Sequence, residues 1–318
     1  MSFNKIMIRP DYYDDFKCIA DQCKHTCCAG WEIDVDEESL ERYQNIGGKI
    51  GEKLKENIVM DEDPHFKLGE GERCPFLNEK NLCEIILECG EDKLCQICSD
   101  HPRFRNELNG QEEVGVGLCC EAAAGLILGK EDKTVLIGDD DSEEFDNLLE
   151  VKIYQTRKEA IEIIQDRTIS MEERAEKVLE RFEVQIPQKP AEEWIEFYLS
   201  LERMDDEWTE ELEKLKAGED IEKKELPKLE IPFEQLFVYL LYRHLPQSQD
   251  FTDLKAQIGY CYVNYKLLRR LCSMKEKEAG CELEEMLELA RLFSSEVEYS
   301  EENTDAILDL LWEENEEL

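Results

Sequence analysis

The sequence predicts a mainly α-helical protein in which an irregular, cysteine-rich N-terminal metal-binding domain precedes a helical domain. Two observations carry this expectation. Eleven of the fourteen cysteines lie between residues 18 and 120. Beyond about residue 143, apolar residues recur at the spacing of one helix face. The expected domains are 1–130 and 143–318, with the acidic knot Gly138-Asp139-Asp140-Asp141-Ser142 as linker or exposed turn.

The first part opens with Cys18-x4-Cys23-x3-Cys27-Cys28, followed by Gly30-Trp31. Cys74, Cys83, Cys89, Cys95 and Cys98 come next, then a second adjacent pair, Cys119-Cys120. Thiolates are soft ligands for zinc and iron, and a metal site needs about four of them. Cys95-x2-Cys98 is the clearest local chelate. A turn at Asn78-Glu79-Lys80-Asn81 would bring Cys74 and Cys83 to one side. Adjacent cysteines such as Cys27-Cys28 suit a polynuclear iron–sulfur core or two neighbouring sites better than a zinc finger, whose ligands come in spaced pairs. His25 and His101 are possible nitrogen ligands, although a lone histidine beside such a cluster more often donates to sulfur or faces solvent. A disulfide scaffold fits less well, because such chains are short and secreted. This sequence begins MSFNKIMIRPDYYDDF, with no basic-then-apolar leader, so a reduced, cytoplasmic setting is expected. Buried unligated thiols explain Cys261 and Cys272, which share a helix face with Leu254, Ile258, Tyr265 and Leu268.

Turn signals punctuate this part at Gly47-Gly48, Asp63-Pro64, Gly69 with Gly71, and Asn109-Gly110. Metal ligation supplies folding free energy where apolar surface is scarce. Short helices are expected after Asp36 and over 84–89, and Val114 to Gly129 reads as a packed helix or as a short strand leading into one. The second part reads as successive helices: 143–164; one capped by Ser170 with Glu173 as a capping box; one from Ala191 with Trp194, Phe197, Tyr198 and Leu201 inward; one opened by Pro232; and three more near 251–274, 282–296 and 303–316.

Net charge is −40, from 78 acidic and 38 basic residues. Residues 1–130 carry −12 and residues 131–318 carry −28. No basic stripe is available to neutralise phosphates, so nucleic acid is not an expected partner. No apolar run approaches the roughly 20 residues of a membrane span, so neither is a membrane. An acidic surface favours cationic, lysine-bearing partners, or is simply a solvated surface.

The order of motifs resembles the flagellin lysine-N-methylase family, which overlaps with zinc- or iron-chelating cysteine-cluster proteins. The match runs over roughly residues 8–128. It comprises Pro10-Asp11-Tyr12-Tyr13, Phe16-Lys17-Cys18, Cys23, Cys27-Cys28, Gly30-Trp31, Ile33, Asp36, Cys74-Pro75-Phe76-Leu77, Leu82-Cys83, Leu94-Cys95-x2-Cys98, Pro102-Arg103, and Cys119 with Glu121-Ala122-Ala123. Beyond it the chain resembles the family mainly in being helical and acidic. The resemblance implies methyl transfer from S-adenosylmethionine to lysines of a protein such as flagellin, by an enzyme carrying an iron–sulfur cluster, expected as [4Fe-4S]. It implies Cys18, Cys23, Cys27, Cys28, Cys74, Cys83, Cys95, Cys98 and Cys119 as metal ligands. Cys89 and Cys120 fall outside the pattern, Cys120 standing where the family has proline.

Neither a Rossmann-type glycine fingerprint nor a C-x3-C-x2-C loop for a radical-generating cluster is present, which leaves open how the methyl donor binds. A neutral lysine amine is required for attack, so a base or desolvation must remove its proton. Candidate bases are Glu121, Tyr43 and Asp36. Arg103 could pair with the donor's carboxylate and Trp31 could stack on a sulfonium or methylated ammonium. Each has a plainer role: helix cap or salt bridge for Glu121, internal salt bridge for Arg103, packing over the cysteines for Trp31. The alternatives to an enzyme are a non-catalytic protein holding zinc or iron, and a redox sensor.

Overall fold

The computed structural model describes residues 7–138, 147–218 and 225–316. Asp139 to Ser142 of the expected linker, and residues 143–146 of the first expected long helix, lie outside them. The described chain is mainly helical and forms two compact units, one of residues 17–104 and the other of 7–16 with 105–316. The expected boundary near 130 therefore moves. Strand β1 (Met7–Pro10) and the segment from residue 105 onward belong with the helices, because β1 pairs with a strand at 111–116 and the helix after it packs on the helical body.

The smaller unit has little regular structure. Asp36 caps α1 (Glu37–Asn45) by accepting from Ser39 N, as expected of an aspartate at that position. Gly47-Gly48, expected only as a turn, leads straight into α2 (Gly48–Glu56). A two-residue ladder follows, β2 (Ile58–Val59) with β3 (His65–Phe66). Helix α3 (Glu84–Cys89) sits where expected, and α4 (Gln96–Asp100) starts between Cys95 and Cys98. The interior combines Ile33, Tyr43, Leu54, Phe66, Phe76 and Ile85 with Cys74 and Cys95, and partly buried Cys28, Cys83, Cys89 and Cys98 pack against them.

The larger unit contains a mixed sheet that the sequence did not disclose. Its strand order is β4 (Arg103–Leu108), β5 (Gln111–Val116), β1, β6 (Leu136–Ile137). β4 and β5 are joined by Asn109-Gly110, both at positive φ, the turn chemistry a tight hairpin demands. β1 runs parallel to β5 and antiparallel to β6. Helix α5 (Glu121–Leu128) follows β5, so Val114 to Gly129 is indeed strand then helix.

The helical series continues with α6 (Leu148–Ile164), α7 (Met171–Phe182), α8 (Ala191–Leu199), α9 (Asp206–Ala217), α10 (Glu230–His244), α11 (Phe251–Glu278), α12 (Leu283–Phe293) and α13 (Glu301–Asn315). The Ser170 capping box is present in both directions. On α8, Ile195 and Tyr198 are buried, while Trp194 and Phe197 lie at the margin. Helix α10 is buried on every side from Pro232 to His244, the pattern of a central helix. Its Tyr242 hydroxyl lies 2.9 Å from the Ile8 carbonyl and 3.1 Å from that of Val114, tying α10 to β1 and β5. Gly259 of α11 lets α13 approach closely, since a Cβ there would meet Leu311 at 3.1 Å. Cys261 and Cys272 are fully buried on α11, as their helical spacing predicts. None of the described helices is long and apolar enough to cross a membrane.

Buried charges pin this unit. Arg157 on α6 donates two 2.6 Å hydrogen bonds to Glu113 on β5, and both side chains are sealed from water. Glu234 on α10 accepts from Arg174 at 2.7 Å and from Arg167. Removing one member of such a pair strands the other charge in a medium that solvates it poorly. Glu113→Ala is expected to destabilise the protein by about 3–5 kcal/mol in urea unfolding. A loss below about 1 kcal/mol would show that Arg157 finds another partner or water.

Candidate functional site

In the smaller unit, backbone pairing draws together cysteines that are far apart in sequence. Cys74 N donates to Cys28 O at 2.8 Å beside an Ala29–Arg73 bridge, setting the two cysteines side by side. The turn at Asn78–Asn81 forms, with Asn81 at positive φ, and a Leu77–Cys83 bridge returns the chain towards Cys74. Asp36 supplies the third constraint. Its Oδ1 caps α1, and its Oδ2 accepts from Gln96 N at 2.7 Å, fixing the start of α4 and so Cys95 and Cys98. As a result Cys28, Cys74, Cys83, Cys95 and Cys98 each lie within electrostatic reach of at least three of the others.

Two thiol–thiol hydrogen bonds organise this set. Cys28 is bonded to Cys27, which outweighs burial and, with Thr26 and Arg73, lowers its thiol to about 7. Cys95 is likewise lowered by its bond with Cys98, whose own thiol is pushed up by that bond and by burial. Burial raises Cys74 to about 12 and also raises Cys83. Each pair thus holds one thiolate-prone sulfur, the form that binds metal. The Tyr43 hydroxyl, buried and lacking a regular hydrogen-bond partner, lies beside Cys95. Burial, then Cys95 and Cys98, push it well up, so it is a proton donor at neutral pH. The donor chemistry and the spare Tyr43 hydroxyl suit an iron–sulfur or zinc group. As arranged, no three His, Cys, Asp or Glu side chains among the described residues converge closely enough to hold one ion.

The remaining predicted residues divide between the units. Cys18 and Cys27 are exposed, and Cys23 is half-buried with its thiol against the His25 carbonyl at 3.3 Å. Cys89 senses Glu88, Lys93 and Asp92 rather than the other thiols, in keeping with its place outside the motif. Trp31 donates from its indole to Cys27 O at 2.7 Å, and its ring is 6.1 Å from that of His101, which burial lowers to about 4. Arg103 donates to Ser99 O at 3.1 Å. Cys119 and Glu121 belong to the larger unit, Glu121 as the first residue of α5.

Beside the cysteines the smaller unit has a cavity of about 450 Å³. Asp34, Asp36, Glu37 and Asp63 line it, and so do Gln96 and Ile97, the two residues between Cys95 and Cys98. Such a wall favours a cation. Both oxygens of Asp36 are engaged by backbone N–H groups, which with Ser39's side chain outweigh burial and hold the carboxyl low. That makes Asp36 a structural anchor and a poor base.

The larger unit holds a buried polar network absent from the sequence reading. A π-helical turn over Ser294–Glu298 extends α12 and carries Glu298 inward. Glu298 accepts from His244 Nε2 at 2.7 Å and from the Tyr239 hydroxyl at 3.0 Å, with Arg243 Nε 3.6 Å away. The Arg243 guanidinium lies 4.9 Å from the Tyr299 ring centroid. Burial raises the Cys119 thiol to about 12, against a Tyr299 hydrogen bond and Arg243. Burial alone would raise Glu298, but Arg243 and the His244 hydrogen bond bring it down to about 2. His244 is lowered by burial, and its Nδ1 has no partner, as befits a neutral ring donating from Nε2.

Two outcomes follow. Replacing Cys27 and Cys28 together should abolish metal incorporation, while Cys261→Ser leaves it intact; equal metal content in both variants would contradict the ligand assignment. Both His244 and Glu298 are depressed in the folded state, so their contributions are complete above the unfolded values and are lost on acidification. Stability should therefore fall first below about pH 6.5 through His244, then below about pH 4.3 through Glu298. In urea midpoints against pH, Glu298→Gln should flatten the lower limb; an unchanged slope there would disprove the assignment.

Residues 189–318 match the family described as the FliB lysine N-methylase C-terminal domain. That stretch contains Tyr239, Arg243, His244, Glu298 and Tyr299, and it lies in the part whose likeness to the family rested only on being helical and acidic. Over 134 residues, 40% of this chain, the sequence is 25% identical to the flagellar biosynthetic protein FliU of Salmonella muenchen, covering 79% of that protein. It is also 25% identical to the lysine-N-methylases of Salmonella choleraesuis and Salmonella typhimurium, and these matches cover 33% of each. No solved structure matches the chain. The family match over residues 189–318 and these relatives, together with the N-terminal motif order, support assignment to the flagellin lysine-N-methylase family.

Proposed function

We propose that this protein methylates lysine side chains of a flagellin-like protein, using S-adenosylmethionine as donor and an iron–sulfur cluster held by cysteines of the smaller unit. The observation that carries this reading is the juxtaposition of five clustered cysteines with a carboxylate-lined cavity, in a chain whose relatives are named lysine-N-methylases. Cys28, Cys74, Cys83, Cys95 and Cys98 are the inner ligand candidates, and Cys18, Cys23 and Cys27 lie on the same unit. Cys119 lies in the larger unit, beside Tyr299 and Arg243, and is not assigned to this set. When bound, a cluster of [4Fe-4S] type supplies redox capacity and Lewis-acidic iron.

The chain's own residues account for capture of the substrate. A lysine ammonium entering the cavity meets Asp34, Glu37 and Asp63, which stabilise its charged form. Capture and activation are therefore separate tasks, since carboxylates around an ammonium raise its pKa while attack needs the neutral amine. Activation falls to desolvation of the amine as the cavity closes it off from water. Tyr43, protonated and buried, serves instead as a donor towards sulfur. Trp31 is the aromatic group of this unit that a sulfonium could stack on, and Arg103, which donates to Ser99 O, is the cation assigned to the donor's carboxylate.

The test is methyl transfer from labelled donor to purified flagellin, read by peptide mass spectrometry on protein purified without oxygen. Asp34→Asn with Asp63→Asn should raise KM for the protein substrate roughly tenfold with little change in kcat, as expected for lost capture rather than lost chemistry. An unchanged KM would remove the cavity from the account. Stoichiometric zinc with no labelled lysine would favour the non-catalytic reading.

A further inference from the structure

A cavity of about 360 Å³ in the larger unit, remote in sequence from every cysteine of the N-terminal motif, is lined by the opposite charge. Helix α6 contributes Lys152 and, one turn on, Thr156; the end of α7 contributes Arg181 and Glu183; the first two turns of α11 contribute Phe251, Leu254 and Lys255. Three cations against one carboxylate invert the local charge in a chain of net −40. Arg181 is engaged by Glu159 in an exposed pair. Lys152 and Lys255 have no ion pair among the described residues. Phe251 is 51% exposed, a large apolar ring standing at the cavity rather than in the core.

A second observation points inward. Thr156 is 2% exposed, and its hydroxyl has no hydrogen-bond partner among the described residues. An unpaired buried hydroxyl carries a desolvation cost that a bound acceptor would offset. The wall thus combines an apolar side, two uncommitted ammonium groups and one unsatisfied hydroxyl. Small-molecule sites have this make-up: mostly apolar, with a few convergent polar groups.

We propose that this cavity binds a small organic anion, a carboxylate or phosphate ester carried on an apolar body. The ammonium groups of Lys152 and Lys255 hold the anionic head, and Phe251 and Leu254 cover the body. Glu183 opposes a second negative charge, which favours a single anionic head. The site is independent of the methyl-transfer reading.

The experiment uses the intact protein with two fluorescent probes of similar body, anilinonaphthalene sulfonate, which is anionic, and neutral phenylnaphthylamine. The sulfonate should bind saturably at one site. Lys152→Gln with Lys255→Gln should weaken the sulfonate roughly tenfold while leaving the neutral probe unchanged, the effect of two partly screened charges. Phe251→Ala should weaken both probes. Retention of sulfonate affinity in the double-lysine variant would overturn the proposal, and so would equal losses for the two probes. Unchanged thermal unfolding of the lysine variants excludes a folding defect as the cause.

Discussion

The smaller unit sets thiols into a small apolar core of Ile33, Tyr43, Leu54, Phe66, Phe76 and Ile85. Cys74 and Cys95 are part of its core, and Cys28, Cys83 and Cys98 complete the inner wall. Its helices are one to three turns long, and its one ladder is two residues wide on each side. Such elements bury too little apolar surface to hold themselves. What holds them is a set of backbone links and the Asp36 carboxylate, which ties α1 to α4, and all of these converge on sulfur. Several thiolates cannot share a low-dielectric interior without a cation, which is why burial and mutual repulsion keep Cys74, Cys83 and Cys98 protonated while only one sulfur of each bonded pair is eased towards ionisation. A metal or cluster would remove that repulsion and add folding free energy at the same point.

The larger unit solves the opposite problem. It has ample apolar surface, and its specificity comes from buried ions. Helix α10 presents Glu234 to Arg167 and Arg174, Tyr242 to the sheet, and Tyr239, Arg243 and His244 to Glu298. A central helix with polar contacts on several faces can be seated in only one rotation, because any other leaves a charge stranded. The family match over residues 189–318 includes Tyr239, Arg243, His244 and Glu298, but not Arg167 or Arg174.

Much of the helical body was legible from caps and periodicity. Ser170 with Glu173, Asp36 before α1, and the Asn109-Gly110 turn each carry a local chemical signal that the structure uses. The sheet was not legible. Its strands have two to six residues, and β1 finds β5 about a hundred positions away, beyond the reach of any local pattern. The unit boundary was missed for the same reason. In the smaller unit the Asn78–Asn81 turn was legible and returns Cys83 towards Cys74, whereas the pairing of Cys28 with Cys74 rests on backbone links between distant segments. The Glu298 network stayed hidden because, in so acidic a chain, an isolated glutamate or arginine reads as surface. The π turn that carries Glu298 inward has no sequence signature. Asp36 shows the limit of residue-type reasoning: a carboxylate among cysteines suggests a base, yet backbone donors occupy both its oxygens.

The central proposal is that the thiols of the smaller unit hold an iron–sulfur cluster. Its most direct test is the iron, acid-labile sulfide and zinc content of protein purified without oxygen, with its visible spectrum. Matched iron and sulfide with charge-transfer absorption is the expected result. Colourless protein with neither sulfide nor iron would contradict it and make the cysteine core a structural or zinc-bound one.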